Sequence, residues 1–379
     1  MEVRITMNIK CINYFKEYNC LASDCVNDCC HGWTIEVEPE TIEKWQNKTP
    51  QLLDYIQENS YRTGTKCMKS KDDRSCIMLS NGLCDIHKNH EAEMLPNICN
   101  YFPQLYKRIN KELFLTATVS CPAIAKLIVN DNEDSNFLFS DFNYDLKKQE
   151  ESIHETLAYP INYDFIDIYE FLIQEVEPYK RPRYFLMTLY YLSEILDQTD
   201  IRFLGDLYER LYEISNPQIK KIYFNKLDES LILSVFRSIK ELTTRSKKYI
   251  SQIISYVDYY LDNPDQITSL LDIYLEVRDI GKYDKYLRRF IKAKLSETIF
   301  PFCVVNSVHD ETLIIINEVI ILELMIVIFS LYNKLDEELV ANLIHSIDRE
   351  FYGKKNQRIL ETLDDNGMCN KYNIFSFLI

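Results

Sequence analysis

Glycine is scarce in this chain, with seven residues in 379. Nucleotide-binding loops depend on glycine because the backbone must approach phosphate with no side chain in the way. The sequence contains no GxGxxG and no GxxxxGK followed by Ser or Thr, which argues against a Rossmann-type methyltransferase or dehydrogenase and against a P-loop enzyme. GxSxG, HExxH and DxDxDG are absent as well, so the signatures of the serine nucleophile elbow, the zinc protease helix and the calcium loop are missing.

Positive charge is also in deficit: 43 Lys and Arg face 58 Asp and Glu, a formal net charge of −15. Such a surface repels phosphate backbones, so no nucleic-acid partner is expected. It would weakly attract a basic or lysine-bearing protein segment. The opening "MEVRITMNIKCINYFKEYNC" carries Glu2, Arg4, Lys10, Lys16 and Glu17 and no apolar run long enough for a secretory leader. The expectation is a cytoplasmic protein with reduced thiols.

What the chain does have is cysteine, unevenly placed. Of twelve, ten lie in the first 121 residues (Cys11, Cys20, Cys25, Cys29, Cys30, Cys67, Cys76, Cys84, Cys99 and Cys121), and only Cys303 and Cys369 follow. Cysteine used as a small buried hydrophobe would follow the core through the whole chain, so the clustering indicates a local chemical task. The densest run is "CLASDCVNDCCHGW", residues 20–33. Disulfide density is the remedy of small secreted domains, and this chain is long enough to bury a core without staples; a metal site is the leading reading. No CxxC occurs, and only Cys84 with His87 in "CDIH" approaches a zinc knuckle. The CxxxCxxC pattern of radical enzymes fails too, because Cys25 and Cys29 place its third position on Gly32. Iron–sulfur centres accept looser spacing where four thiolates converge, so iron and zinc both stay open.

The length suggests two or three domains. Residues 1–130 hold the cysteine cluster, an acidic connector covers 131–160 ("NDNEDSNFLFSDFNYD" begins at Asn130), and 161–379 reads as helix after helix. The expected fold is mainly α: a small α+β, cysteine-cluster metal-binding N-terminal domain followed by an all-α domain. "WTIEVEP" alternates as a short strand through Trp33, Ile35 and Val37, and Pro39 with Glu40 opens a helix. Asn81 and Gly82 mark a hairpin. "LFLTATVSC" reads as a strand, and Pro122 opens a helix that leaves Cys121 at its N-cap, where the dipole favours a thiolate. Phe185, Leu189, Leu192 and Leu196 form one apolar helix face, and Ile250, Ile253, Ile254 and Val257 another, ended by Asn263 and Pro264. Residues 313–332 have the length of a membrane span, but Asn317, Glu318 and Glu323 interrupt the run at high cost in hydrocarbon. The expectation is a buried central helix and no membrane span.

In order, "YNC", "CVNDCCHGWTIEVEPETIEKW", "CIMLSNGLCDIHKNHEAEMLPNICNYFP" and "VSCPAIAKLI" closely resemble the flagellin lysine N-methylase family, which carries a zinc- or iron-chelating cysteine cluster. The resemblance covers about residues 11–130. It implies transfer of a methyl group from S-adenosylmethionine to lysines of flagellin or a similar protein, with a [4Fe–4S] cluster, or alternatively zinc, as the metal group. Carried over by position, the cluster thiols are Cys20, Cys25, Cys29, Cys30, Cys76, Cys84, Cys99 and Cys121, while Cys11 and Cys67 fall outside the pattern. Eight thiols exceed the four ligands of one cubane, so four are expected to bind it and the rest to form a second small site or pack beneath. His31, Asp28 and Trp33 flank the cluster as candidates to line it. The family commonly has a basic residue after Cys99 and an arginine after the following proline, whereas Asn100 and Gln104 stand here; donor binding is the less secure part of the implication. The alternative from another class is a non-enzymatic metal-binding or redox-sensing module on a helical interaction scaffold.

Overall fold

A computed structural model of the chain describes residues 5–26, 29–109, 112–130, 134–146, 165–176, 181–197, 209, 226–243, 248–302, 307–351 and 356–378. The N-terminal part is mixed. Strand β1 (Ile5–Ile12) is flanked in a four-stranded sheet by β8 (Glu112–Ala117) and β9 (Phe139–Leu146), and β7 (Gln104–Ile109) completes the order β7-β8-β1-β9. β1 runs parallel to β8 and antiparallel to β9, with Lys10 opposite Asp141. β8 is apolar along nearly its whole length and buried from Leu113 to Ala117, as a strand covered on both faces must be.

β9 falls inside the stretch expected as an acidic connector; residues 131–133 and 147–164 lie outside the described residues. Its polar composition has a physical reason, since it is an edge strand and its Asp141 is exposed. Asp141 pairs with Lys10 at 2.9 Å and so fixes the register with β1.

Between these strands sits a smaller lobe. It contains β2 (Glu36–Val37), β3 (Ile56–Glu58) and β4 (Lys66–Met68) in one sheet, the hairpin β5 (Leu79–Ser80) and β6 (Leu83–Cys84), and the helices α1 (Pro39–Lys48), α2 (Asp85–Asn89) and α3 (Asn97–Tyr101). The hairpin turns through Asn81 and Gly82, both in the left-handed region with φ of 50° and 77°, as a tight two-residue turn requires. A core of its own, with Ile35, Val37, Met78 and Ile86, surrounds Trp45, whose indole N–H donates to Met94 O at 2.8 Å.

The remainder is helical: α4 (Pro122–Asn130), α5 (Phe165–Glu175), α6 (Pro182–Leu196), α7 (Glu229–Leu242), α8 (Lys248–Asp262), α9 (Ile267–Asp279), α10 (Asp284–Glu297), α11 (Val308–Tyr332), α12 (Glu337–Phe351), α13 (Asn356–Asp365) and α14 (Lys371–Leu378). The fold is thus mainly α with an α+β N-terminal part. The four-stranded sheet shares one continuous apolar core with these helices, from Ile9 to Leu378.

α11 is long and apolar enough to cross a membrane, yet its apolar stretch is wholly buried inside the protein. Its polar residues explain why. Glu323 pairs with Arg183 of α6 and accepts from the Tyr274 hydroxyl at 2.8 Å, Glu318 lies 3.1 Å from Lys294, and Asn317 donates to Met368 O at 3.1 Å. Each interruption that lipid would penalise finds a partner on a neighbouring segment.

Candidate functional site

Loops and short helix starts deliver the thiols. Cys20 accepts from the Ala22 backbone N–H at 3.4 Å, and Cys25 closes the same 3-10 turn. The Cys29–Cys30 turn is tied to Cys76, whose N–H donates to Cys30 O at 2.7 Å. Cys84 ends the hairpin and begins α2, Cys99 sits in α3, and Cys121 immediately precedes α4. Cys20 and Cys29 are exposed, whereas Cys30, Cys76 and Cys121 are buried, so the site has an open mouth and a closed floor. No disulfide joins the described cysteines.

Electrostatic contacts draw the eight thiols of the resemblance into two neighbouring groups. Cys30 is hydrogen-bonded to both Cys29 and Cys84, and Cys76 and Cys99 feel the charge of Cys29 and Cys84. A second group joins Cys121 to Cys25 and Cys20. Tyr18 stands between them, with its hydroxyl on Cys20 and within range of Cys121 and Cys29, and burial pushes that phenol well up. Adjacent side chains would be expected to diverge at Cys29 and Cys30, but the turn brings the two thiols together. Cys11 and Cys67 stand apart: Cys11 donates to Ile12 O at 3.4 Å and Cys67 to Glu58 O at 3.9 Å.

The protonation of these thiols is uneven. The Cys30 hydrogen bond, helped by the N–H groups of His87 and Ile86, holds Cys84 down to about 6. Cys30 is pushed up correspondingly, by its bonds to Cys29 and Cys84 and by burial. Burial raises Cys76 to about 11. Cys121 does receive N–H groups at the start of α4, from Ile124 and Ala123, but burial outweighs them and lifts it to about 12; the thiolate expected from the helix dipole belongs to Cys84 instead. Among the described residues, no group of three or more His, Cys, Asp or Glu side chains stands in metal-holding geometry.

Of the flanking candidates, Trp33 donates its indole N–H to Cys29 O at 2.8 Å and tilts against Phe102, centroids 6.0 Å apart. The His31 ring lies 3.9 Å from the Asp73 carboxylate. Asp28 and Cys303 lie outside the described residues. Gln104 accepts from Tyr106.

Tyr18 was not singled out by the sequence, although it opens the "YNC" run two positions before Cys20. The helical residues that reach this site were equally invisible, since no local pattern marks them. Arg349 of α12 donates to His31 O at 2.8 Å, Asp348 accepts from the Ser120 hydroxyl at 2.6 Å, and Glu297 of α10 accepts from Val119 N–H at 2.6 Å.

A thiol-rich α+β part carried on a helical body is therefore the class that fold and site define. No family model and no solved structure match the chain. It is distantly similar to the lysine-N-methylases of Salmonella typhimurium and Salmonella choleraesuis, 24% and 23% identical over 126 residues, which is 31% of this chain and 31% of each relative. It is also similar to the flagellar biosynthetic protein FliU of Salmonella muenchen, 22% identical over 126 residues, 31% of this chain and 75% of that protein. The match thus spans about a third of the methylases' length.

Proposed function

We propose that the protein is an S-adenosylmethionine-dependent protein lysine N-methyltransferase acting on flagellin or a similar lysine-bearing protein, and that its thiols hold an iron–sulfur cluster. The observation that carries this reading is the gathering of all eight thiols of the resemblance, from four separate stretches, into two adjoining groups that leave Cys11 and Cys67 outside. The names of the distant relatives support the reaction class and the flagellar connection.

The donor set fits such a group, since soft thiols suit iron–sulfur and zinc alike and the Cys30 hydrogen bond holds the Cys84 thiol down to about 6. A structural zinc ion needs four donors about 2.0–2.3 Å from one point, and no such arrangement is preformed among the described residues. The four thiolates of a cubane each meet a different iron and so stand further apart. Thiol donors suit either group, and metal analysis separates the two. Four of Cys29, Cys30, Cys76, Cys84 and Cys99 would supply the ligands of the cluster, with Cys20, Cys25 and Cys121 as a second small site.

When bound, such a cluster supplies electron transfer and Lewis-acidic iron. The chain's own task at the mouth is to strip water from a lysine. A free ε-amine has a pKa of about 10.4 and must lose its proton to attack a methyl group. Trp33, Phe102 and Tyr18 border the exposed thiols Cys20 and Cys29; packing the lysine methylenes against these rings would desolvate the ammonium and lower that value.

The test is anaerobic purification followed by iron, zinc and sulfide analysis and a visible spectrum, with and without S-adenosylmethionine. Iron with matching sulfide and a spectrum that responds to the donor is the expected result. Zinc, or iron indifferent to the donor, would overturn the methylase reading. A second reading, a non-catalytic thiol redox sensor, draws on the contact between the ionised Cys84 and Cys30; a peroxide-induced Cys30–Cys84 disulfide in a protein that ignores the donor would favour it.

A further inference from the structure

Three backbone or side-chain positions of the thiol segments are held by residues 178 to 318 positions further along the chain. Glu297 takes the Val119 N–H, Asp348 takes the Ser120 hydroxyl next to Cys121, and Arg349 takes the carbonyl of His31 next to Cys30. Behind the first two contacts lies a buried ionic cluster. Lys294 pairs with Asp348 and lies 3.1 Å from Glu297 and 3.1 Å from Glu318. Burial alone would depress the Lys294 ammonium, but Asp348, Glu297 and Glu318 together hold it well above the ordinary lysine range.

Burying one ammonium among three carboxylates adds little net stability over apolar packing of the same volume, because desolvation offsets the attraction. What it does supply is direction. Hydrogen bonds to charged groups are short and angularly selective, and here they terminate on the segments that carry cysteines. The end of α10 is fixed with similar insistence. Ile299, one residue past its C-cap, adopts a left-handed φ of 44°, a genuine outlier for a β-branched side chain. Its wholly buried side chain and the bonds Ile299 N–H to Ser296 O (3.3 Å) and Phe300 N–H to Leu295 O (2.9 Å) hold it there. Strain of this kind persists only where surrounding structure over-determines it.

We propose that Glu297 and Asp348, both paired with Lys294, and Arg349, which follows Asp348 in α12, are positioning residues of the thiol site: they fix the Cys121 segment and the Cys29–Cys30 turn on α10 and α12 and so set the separation of the two thiol groups. Their bearing on a bound metal rests on the proposed function, but the positioning is a property of the protein alone.

The experiment uses the full chain, chelator-treated and reduced, with a pulse of iodoacetamide and mass-spectrometric readout of each cysteine. Buried thiols react through local opening, and removing the partner of a buried polar group shifts such an equilibrium roughly tenfold. Ser120→Ala should accelerate labelling of Cys121 with Cys11, buried in the same core, unchanged. Ser120→Thr, which keeps the hydroxyl, should restore the slow rate. Arg349→Ala should expose Cys30 in the same way and leave Cys121 slow. Acceleration of Cys11 in parallel would show a general stabiliser, and no change at Cys121 or Cys30 would show that the contacts position nothing; either overturns the proposal. A protein that binds no metal leaves this labelling pattern untouched, so failure of the proposed function is distinguishable.

Discussion

Ser120 donates its hydroxyl to Asp348 across 2.6 Å, although the two are 228 positions apart in the chain. The floor of the thiol site is therefore built jointly by the start and the end of the sequence. Arg349 repeats the relationship one residue later, reaching His31 O. The helical part contributes directly to the site, and two consecutive residues of α12 serve both thiol groups.

Replacing Lys294 with Met should be costly. It removes the only ammonium facing Glu297, Glu318 and Asp348 in the contacts described, and breaking a buried ion pair by deleting one partner typically costs about 3–5 kcal/mol. A urea unfolding midpoint at pH 7 measures this directly. The loss should shrink as the pH falls toward 5, because burial and the neighbouring carboxylates already raise Glu297 and Glu318 and both then take up protons.

Glu297 by itself gives a signed pH dependence. Burial, followed by the charge of Asp348, pushes its carboxyl up to about 7, against about 4.3 in an unfolded chain. Between these values the folded state binds more protons, so stability falls as pH rises. The group's contribution is fully present below about 4.3 and is lost as pH passes through about 7. Glu297→Gln should flatten the fall in unfolding midpoint between pH 5 and pH 8; an unaltered slope would remove Glu297 as its source.

Cys84 should titrate apart from the other buried thiols. Its pKa near 6 depends first on the hydrogen bond from Cys30, whereas Cys121 and Cys11 are held up near 12, mainly by burial. In the chelated, reduced protein the alkylation rate of Cys84 should level off above about pH 6, with the rates at Cys121 and Cys11 still climbing at pH 9. Cys30→Ala should move the Cys84 midpoint upward. A Cys84 profile indifferent to Cys30 would show that the helix N–H groups set it instead.

The hairpin that carries Cys84 offers a test of backbone alone. Gly82 has φ 77° and open space where a Cβ would sit, so Gly82→Ala brings conformational strain without a clash. The cost should be about 1–2 kcal/mol, visible as a lower thermal midpoint, with no change in the Cys84 profile if the register of Leu79 with Cys84 is kept.

This hairpin was also the most readable element of the lobe, because Asn-Gly is a turn signal that acts locally. Pro39 and Pro122 at helix starts were readable for the same reason, as were the apolar faces through Phe185 and Ile250 and the burial of α11. β1 and β9 were not. Their paired residues lie 127 to 141 positions apart, and β9 is a polar edge strand, so composition alone resembles a linker. Clustering and resemblance single out the candidate thiols, but their division into two groups depends on loop paths that no spacing encodes. Cys121 shows where local reasoning stops: the helix start is real, and burial decides the protonation against it.

The division of the thiols leads to the prediction that bears most directly on the cluster. Were cysteine content alone responsible for metal binding, every Cys→Ser change would matter about equally. The geometry ranks them. Cys29, Cys30, Cys76, Cys84 and Cys99 interact with one another, so serine at Cys30, which bonds to both Cys29 and Cys84, or at Cys84 should abolish most of the iron retained per chain and bleach the visible band. Cys20, Cys25 and Cys121 form the second group, and serine there should leave the band in place while changing its shape. Cys11→Ser and Cys67→Ser should have no effect on iron, since those thiols donate to the carbonyls of Ile12 and Glu58 and stand apart from both groups. Iron counting with sulfide analysis on the anaerobically purified variants decides the ranking; equal losses across both groups would mean that one centre draws on all eight.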